Sequence, residues 1–331
     1  MDMINIPSLL EKDLFSAVSE AVAPCEFSSF QIGISWSESK TKWELKQELR
    51  DKIVSFIESK FKAKQVDVNY ELYLVLNFDR MIIQTTPSNI FIEGVYKKFS
   101  RKIAQTFHYC FKCKGRGCKN CNFKGKLSEE SVQELIEKIM LPAFDSKESK
   151  FHGCGREDVD VRMLGKGRPF VIELVHALKR KVSLKKIEEK IKSSFSEKIN
   201  VSNLSFSSKE KVIKLKNTSF EKIYFAKCKC EKKLTKEAFQ KLTINKKISI
   251  VQKTPIRVEK RRVLKDRIKY ATILEANIIS EDEFEVKILA SHGLYIKEFI
   301  SGDEERTNPN ISSLLENKSV CLELDVLEII L

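Results

Sequence analysis

A chain of 331 residues with 42% hydrophobic content can bury a core in each of two ordinary domains, which excludes a disordered or low-complexity protein. No run approaches the roughly 20 apolar residues needed to span a bilayer, and the start, Met1-Asp2-Met3-Ile4-Asn5-Ile6-Pro7, lacks the basic-then-apolar pattern of a secretory leader; a soluble intracellular protein with no membrane partner is expected. Lys and Arg number 60 against 46 Asp and Glu, and the net charge of +14 favours a polyanionic partner without identifying it.

Helical periodicity covers residues 8–23 and 41–62; in the second, Leu45, Leu49, Ile53, Phe56 and Ile57 recur every three or four positions with charges between them. Residues 30–36 and 66–78 alternate or run apolar as strands do, and 91–96 is a further strand. Together these make a small α+β unit that closes before the basic segment 97–102. A helix is expected at 131–140, entered through the capping chemistry of Ser128-Glu129-Glu130 and stopped by Pro142, with a domain boundary near residue 145. Beyond it come a strand at 170–175, a charged helix at 184–195 and a hairpin of 269–279 with 284–291, which predict a mixed or antiparallel sheet with helices packed on it. Lys185, Lys186, Lys190 and Lys192 read as the solvated face of that helix. No repeat of solenoid period is present.

Nine cysteines include four in one short stretch, Cys110-Phe111-Lys112-Cys113-Lys114-Gly115-Arg116-Gly117-Cys118-Lys119-Asn120-Cys121. Two Cys-x-x-Cys knuckles at this spacing suit a tetrahedral metal, zinc first, with Gly115 and Gly117 free to take the left-handed conformations of a tight wrap. Four sulfur ligands leave no open position for water, so the role is structural. His108 is a neighbour rather than a ligand. Cys228 and Cys230, two apart on a strand, face one side and read as packing; Cys25, Cys154 and Cys321 show no partner.

The run Gly155-Arg156-Glu157-Asp158-Val159-Asp160-Val161-Arg162, continuing through Gly165-Lys166-Gly167-Arg168, places charge and glycine where a core would want apolar alternation. Acids flanked by three arginines, then a Gly-x-Gly turn and a strand, predict an ionised carboxylate aimed out of a sheet at an anionic substrate. This run resembles the catalytic motif of the Pus-ten (PsuX) tRNA pseudouridine synthases. The cysteine stretch with Gly125-Lys126, the segment Gln252-Lys253-Thr254-Pro255-Ile256-Arg257-Val258 with Arg261-Arg262, the segment Gly293-Leu294-Tyr295-Ile296-Lys297-Glu298-Phe299, and Gly302-Asp303 with Arg306-Thr307 fall in that family's order. The likeness covers residues 78–331, and the first 75 by architecture alone.

The resemblance implies an α+β chain with a THUMP-type RNA-binding domain and its zinc knuckle over residues 1–145. A pseudouridine synthase fold follows over 146–331, a mixed, largely antiparallel sheet with a central cleft. It implies an isomerase that turns uridine into pseudouridine in the T-loop of tRNA, with no organic cofactor, as a cytoplasmic monomer (nuclear in a eukaryotic source). Alternatives are the same chemistry on another RNA, or a catalytically silent RNA-binding or tRNA-chaperone protein. By resemblance the nucleophile is a buried Asp158, ion-paired to Lys297. Tyr224 stacks on the extruded uracil and assists proton removal at C5, Arg156 fills the vacated stack, and Tyr295 packs beside the carboxylate. Asp160, two residues on, is expected on the opposite face of an extended segment, which disfavours a paired-carboxylate glycosidase. Arg257, Arg261 and Arg262, with Lys260, Lys265, Arg267 and Lys269, alternate along an expected strand as phosphate contacts.

Overall fold

The computed structural model describes residues 3–5, 11–37, 42–242 and 244–330, without the side chains of Lys42 and Arg261. The first unit contains β1 (Met3–Asn5), α1 (Glu11–Val22), β2 (Ser29–Ser35), α2 (Lys42–Phe61), β3 (Lys64–Gln65), β4 (Leu72–Asn77) and β5 (Ile82–Pro87). Its sheet runs β1-β5-β4-β2-β3, with β2 parallel to both β3 and β4. Leu14, Val18 and Val22 of α1 and Ile53 and Ile57 of α2 are buried against it, each such side chain contributing about 1.5–3 kcal/mol. Phe15 stacks on Phe56 at 4.7 Å between ring centroids, joining the two helices.

The second unit follows as β6 (Ile90–Lys98), α3 (Val132–Phe144), β7 (Glu148–Gly153), β8 (Val161–Val175), α4 (Leu184–Phe195), β9 (Ile199–Ser207), α5 (Lys209–Asn217) and β10 (Glu221–Cys230). It continues as α6 (Lys236–Gln240), β11 (Lys247–Gln252), β12 (Arg267–Ile278), β13 (Glu283–Ala290), α7 (Ile296–Ser301), β14 (Thr307–Asn308), α8 (Ile311–Leu314) and β15 (Ser319–Ile330). Ten strands form one mixed sheet in the order β14-β11-β12-β13-β10-β15-β8-β6-β9, with β7 also on β8. All its pairings are antiparallel except β15 with β8, which meet in parallel over only three residue pairs, Leu324↔Val161 to Val326↔Met163.

That short parallel seam joins the two halves of the sheet. Arg162 of β8 donates two hydrogen bonds to the Asp325 carboxylate of β15, at 2.9 and 2.6 Å, and Arg101 adds an ion pair at 2.8 Å. Just past the seam β8 bends at Gly165 and Gly167, where φ is +52° and +82°. A Cβ at Gly165 would lie 1.9 Å from the Leu327 carbonyl oxygen, so the bend admits only glycine.

Several expectations change. The strand at 90–98 lies inside the second sheet, paired with β8 and β9, so the sheets and cores divide near residue 88 rather than 145. The strand expected over 66–78 begins only at Leu72, after Asn69 takes a left-handed conformation. The cap of α3 is Ser131, which accepts from Glu134 N, and Pro142 lies inside the helix, which continues because Phe144 is fully buried. Arg257 to Arg262 form no strand: residues 256–261 are a 3-10 turn, and β12 starts at Arg267.

Candidate active site at the seam

The segment between β7 and β8 carries Asp158 as a non-repetitive loop and turn, residues 154–160. It is held from below. The Glu157 side chain is fully buried and ion-paired to the equally buried Arg168 at 2.9 Å, and Tyr96 donates its hydroxyl hydrogen to the same carboxylate at 2.9 Å. Burial pushes the Tyr96 hydroxyl well above its usual range, and the Glu157 charge adds to it, so Tyr96 stays a donor. Gln105 donates to the Gly155 carbonyl at 3.0 Å and to the Tyr96 oxygen at 2.7 Å. The Lys98 ammonium, wholly buried, spends its three protons on the carbonyls of Ile103, Asp158 and Val159 at 2.9, 3.1 and 2.8 Å. Burial pulls its pKa down to about 8.

This scaffold turns each acid toward a cation of its own. Arg257 Nη1 donates to Asp158 Oδ2 at 2.9 Å, and its Nε is gripped by buried Glu298 at 2.5 Å. The Tyr295 ring lies 5.8 Å from the Arg257 guanidinium, and the Tyr295 backbone is fixed in both directions by the Gln252 amide. Lys297 pairs with Asp160 at 2.6 Å. Burial tends to raise the Asp160 carboxyl, but the Lys297 hydrogen bond and charge hold it below its ordinary range.

Four expectations are thereby corrected. Lys297 takes Asp160, and the cation on Asp158 is Arg257. Asp158 is not buried, its side chain being 47% exposed. Residues 158–160 form a turn rather than an extended segment, with Val161 N donating to the Asp158 carbonyl, so the two carboxylates share a side. Asp160, ionised by Lys297, is still not the protonated acid that a paired-carboxylate glycosidase requires. The flanking arginines serve other partners: Arg168 takes Glu157, Arg162 takes Asp325, and exposed Arg156 meets the His108 ring.

Beneath the loop, β10 presents Lys222 and Tyr224 on one face. Burial raises the Tyr224 hydroxyl to about 12, with the Glu157 and Asp158 charges adding to it, so it is a neutral phenol at physiological pH. Lys222 is nearly enclosed, its pKa pulled down to about 8 by burial and by neighbouring Arg168, and it makes no hydrogen bond or ion pair among the described residues. Arg262 is exposed on the loop before β12, and the Arg261 side chain lies outside the described residues.

The sequence reading missed Glu157, Glu298, Lys98, Gln105 and Lys222. Lys222 had a signal: Ala226, Cys228 and Cys230 follow at period two, all buried. Cys228 and Cys230 do pack in the core, and Cys321 has a partner after all, lying opposite Cys228 in register.

The four clustered cysteines converge on one point, with ligand atoms within 4.8 Å of one another. The pairs Cys110–Cys118, Cys113–Cys121 and Cys118–Cys121 are each 3.8 Å apart between sulfurs. A tetrahedron with bonds of about 2.3 Å has edges of about 3.8 Å, so the sulfurs fit a zinc-sized ion. The Cys118 and Gly125 amides donate to Cys121 Sγ at 3.2 and 3.3 Å, as they would to a thiolate. The group could hold a metal ion.

A family model described as "Pus10, C-terminal" matches residues 91–330. A relative from Methanosphaera stadtmanae called tRNA pseudouridine synthase Pus10 is 40% identical over 270 residues, covering 81% of this chain and 65% of its own length. A relative of the same name from Methanocaldococcus jannaschii is 43% identical over 252 residues, covering 76% and 55%; one from Archaeoglobus fulgidus is 36% identical over 322 residues, covering 92% and 87%. The chain thus spans less than two thirds of the first two. Among solved structures, a Cbf5-Nop10-Gar1 complex aligns with 60% of this chain and 44% of its own at a TM-score of 0.31 and 15% identity, too loose a likeness to argue from. The family match over the whole second sheet, and the identity shared with these relatives, place this chain in the Pus10 family.

Proposed function

We propose that the chain is a stand-alone, monomeric tRNA pseudouridine synthase acting on uridine in the T-loop of tRNA. In this reading the five-stranded unit is an RNA-binding domain of the THUMP type, and the ten-stranded sheet is the pseudouridine synthase fold. The observation that carries it is the Glu298–Arg257–Asp158 chain at the seam, in a member of a family whose relatives are called tRNA pseudouridine synthases.

Arg257 binds Oδ2 of Asp158, while Oδ1 makes no hydrogen bond among the described residues. With the target nucleotide swung out of its stack, Oδ1 bonds to C1′ as the C1′–N1 bond breaks and its electron pair leaves on the uracil. The uracil turns, its C5 attacks C1′ and the carboxylate is displaced; the C5 proton is lost and N1 gains one, so atoms and charge balance. Arg257 keeps a counter-ion on the carboxylate throughout, and Glu298 sets its direction. Tyr224 supplies a wall on which the extruded base stacks. Arg156, exposed beside the His108 ring, fills the gap left in the RNA stack. Zinc held by Cys110, Cys113, Cys118 and Cys121 would supply rigidity, four thiolates leaving no position for substrate.

The test is incubation of the protein with unmodified tRNA transcript, followed by carbodiimide treatment and reverse transcription. A stop in the T-loop is expected. Stops elsewhere alone would transfer the activity to another RNA position, and no stop at all would defeat the reading.

A further inference from the structure

The loop that carries the four cysteines also carries three large aromatic rings that pack against very little. Tyr109, Phe111 and Phe123 are 66%, 64% and 73% exposed. Between His108 and Ser128 the sequence has six cations, Lys112, Lys114, Arg116, Lys119, Lys124 and Lys126, and no carboxylate. The first five are exposed.

Folding does not account for the rings. Phe123 has φ of +61°, a left-handed conformation that disfavours a bulky side chain and that glycine would adopt without cost. Its amide closes the knuckle by donating to the Cys118 carbonyl, a bond any residue but proline could make, while its ring stands in solvent. Tyr109 is set edge-on to Phe107 at 4.7 Å, and a Cβ on Gly115 would come within 2.8 Å of its ring. One side of Tyr109 is therefore fixed and the other is open. A strained, exposed aromatic is an observation that points to a ligand.

The knuckle also adjoins the acid loop. Gln105, at its base, donates to the Gly155 carbonyl, and His108 meets Arg156, two residues before Asp158.

The geometry points to the cysteine knuckle as a stacking platform for unpaired nucleotides of the RNA, with bases on Phe111, Phe123 and Tyr109 and phosphates on Lys112, Lys114, Arg116 and Lys119. Every base has a π face, so rings among cations grip single strands with little regard to sequence, whereas a duplex hides those faces. This deepens the proposed function and rests on the chain being an RNA-binding protein, though not on its being an isomerase.

The experiment uses the full chain, zinc-loaded, with a single-stranded oligoribonucleotide carrying 2-aminopurine and with the same strand annealed to its complement. The wild-type protein should quench the probe in the single strand. The double variant Phe111→Leu with Phe123→Leu keeps apolar bulk but loses the π faces; it should retain its metal and bind the single strand about tenfold or more weakly, while Phe111→Trp with Phe123→Trp binds at least as well as wild type. Single-strand binding by the Leu variant within twofold of wild type would overturn the platform, as would an equal loss on the duplex. Should the wild-type protein stack the oligonucleotide yet leave tRNA unmodified, the platform stands and the catalytic reading alone falls.

Discussion

The cysteine knuckle and the acid loop lie side by side on one sheet and are held in opposite ways. The knuckle is closed on itself: its four sulfurs, its left-handed turns at Gly115, Gly117 and Gly125, and its amide-to-sulfur bonds all fall between residues 110 and 125. The acid loop has almost no cohesion of its own. It hangs on Lys98, Gln105 and Arg168 below and on Arg257 and Lys297 in front, the last lying 137 residues away in sequence. One loop is built around its own cysteine cluster and the other on the whole sheet, so damage to each should spread differently.

The largest effect is expected at the buried scaffold. Arg168→Met leaves the Glu157 carboxylate enclosed without its cation, which costs about 3–5 kcal/mol when one partner of a buried pair is removed. Urea denaturation should show that loss across the second unit. A normal midpoint would mean that the acid loop does not depend on the sheet.

Next in size, and opposite in sign, is Lys222→Met. A lysine whose folded pKa lies near 8 instead of 10.5 destabilises the fold fully below pH 8, and the cost fades as pH rises from about 8 toward 10.5. The variant should gain on the order of 2–3 kcal/mol at pH 7, shrinking to nothing by about pH 10.5. Thermal melts at the two pH values check this, and no gain at pH 7 would mean that the amine has a partner in solution.

The smallest global effect is expected from metal removal. The cysteine sulfurs form a cluster separate from the main core, so stripping zinc should open residues 107–127 to protease while shifting the main unfolding transition less than either substitution. A collapse of the whole second unit on chelation would erase the distinction between the two loops.

The same contrast explains what could be read in advance. The knuckle, α4 and the β12–β13 hairpin are local patterns, and spacing alone revealed them. The β5 strand was missed because Gln84, Thr85 and Thr86 give it little apolar alternation, although it fills a position within the first sheet. Lys98 sits in a basic run that looks like surface yet is wholly buried, since its three carbonyl partners come together only when β6 meets the acid loop. Ser131 is a legible N-cap, accepting from Glu134 N, that the neighbouring Ser128 obscured. Family likeness brought Asp158, Lys297 and Arg257 to notice but mispaired them, because the turn at 158–160 and the Glu298 grip on Arg257 are properties of the folded chain.

The central claim is that Asp158, set by Arg257, attacks C1′. It is met most directly by single-turnover conversion of tRNA with Asp158→Asn beside Asp160→Asn. Asp158→Asn should bind tRNA as wild type does and form no pseudouridine, whereas Asp160→Asn should still convert it. Pseudouridine formed by Asp158→Asn would contradict the account.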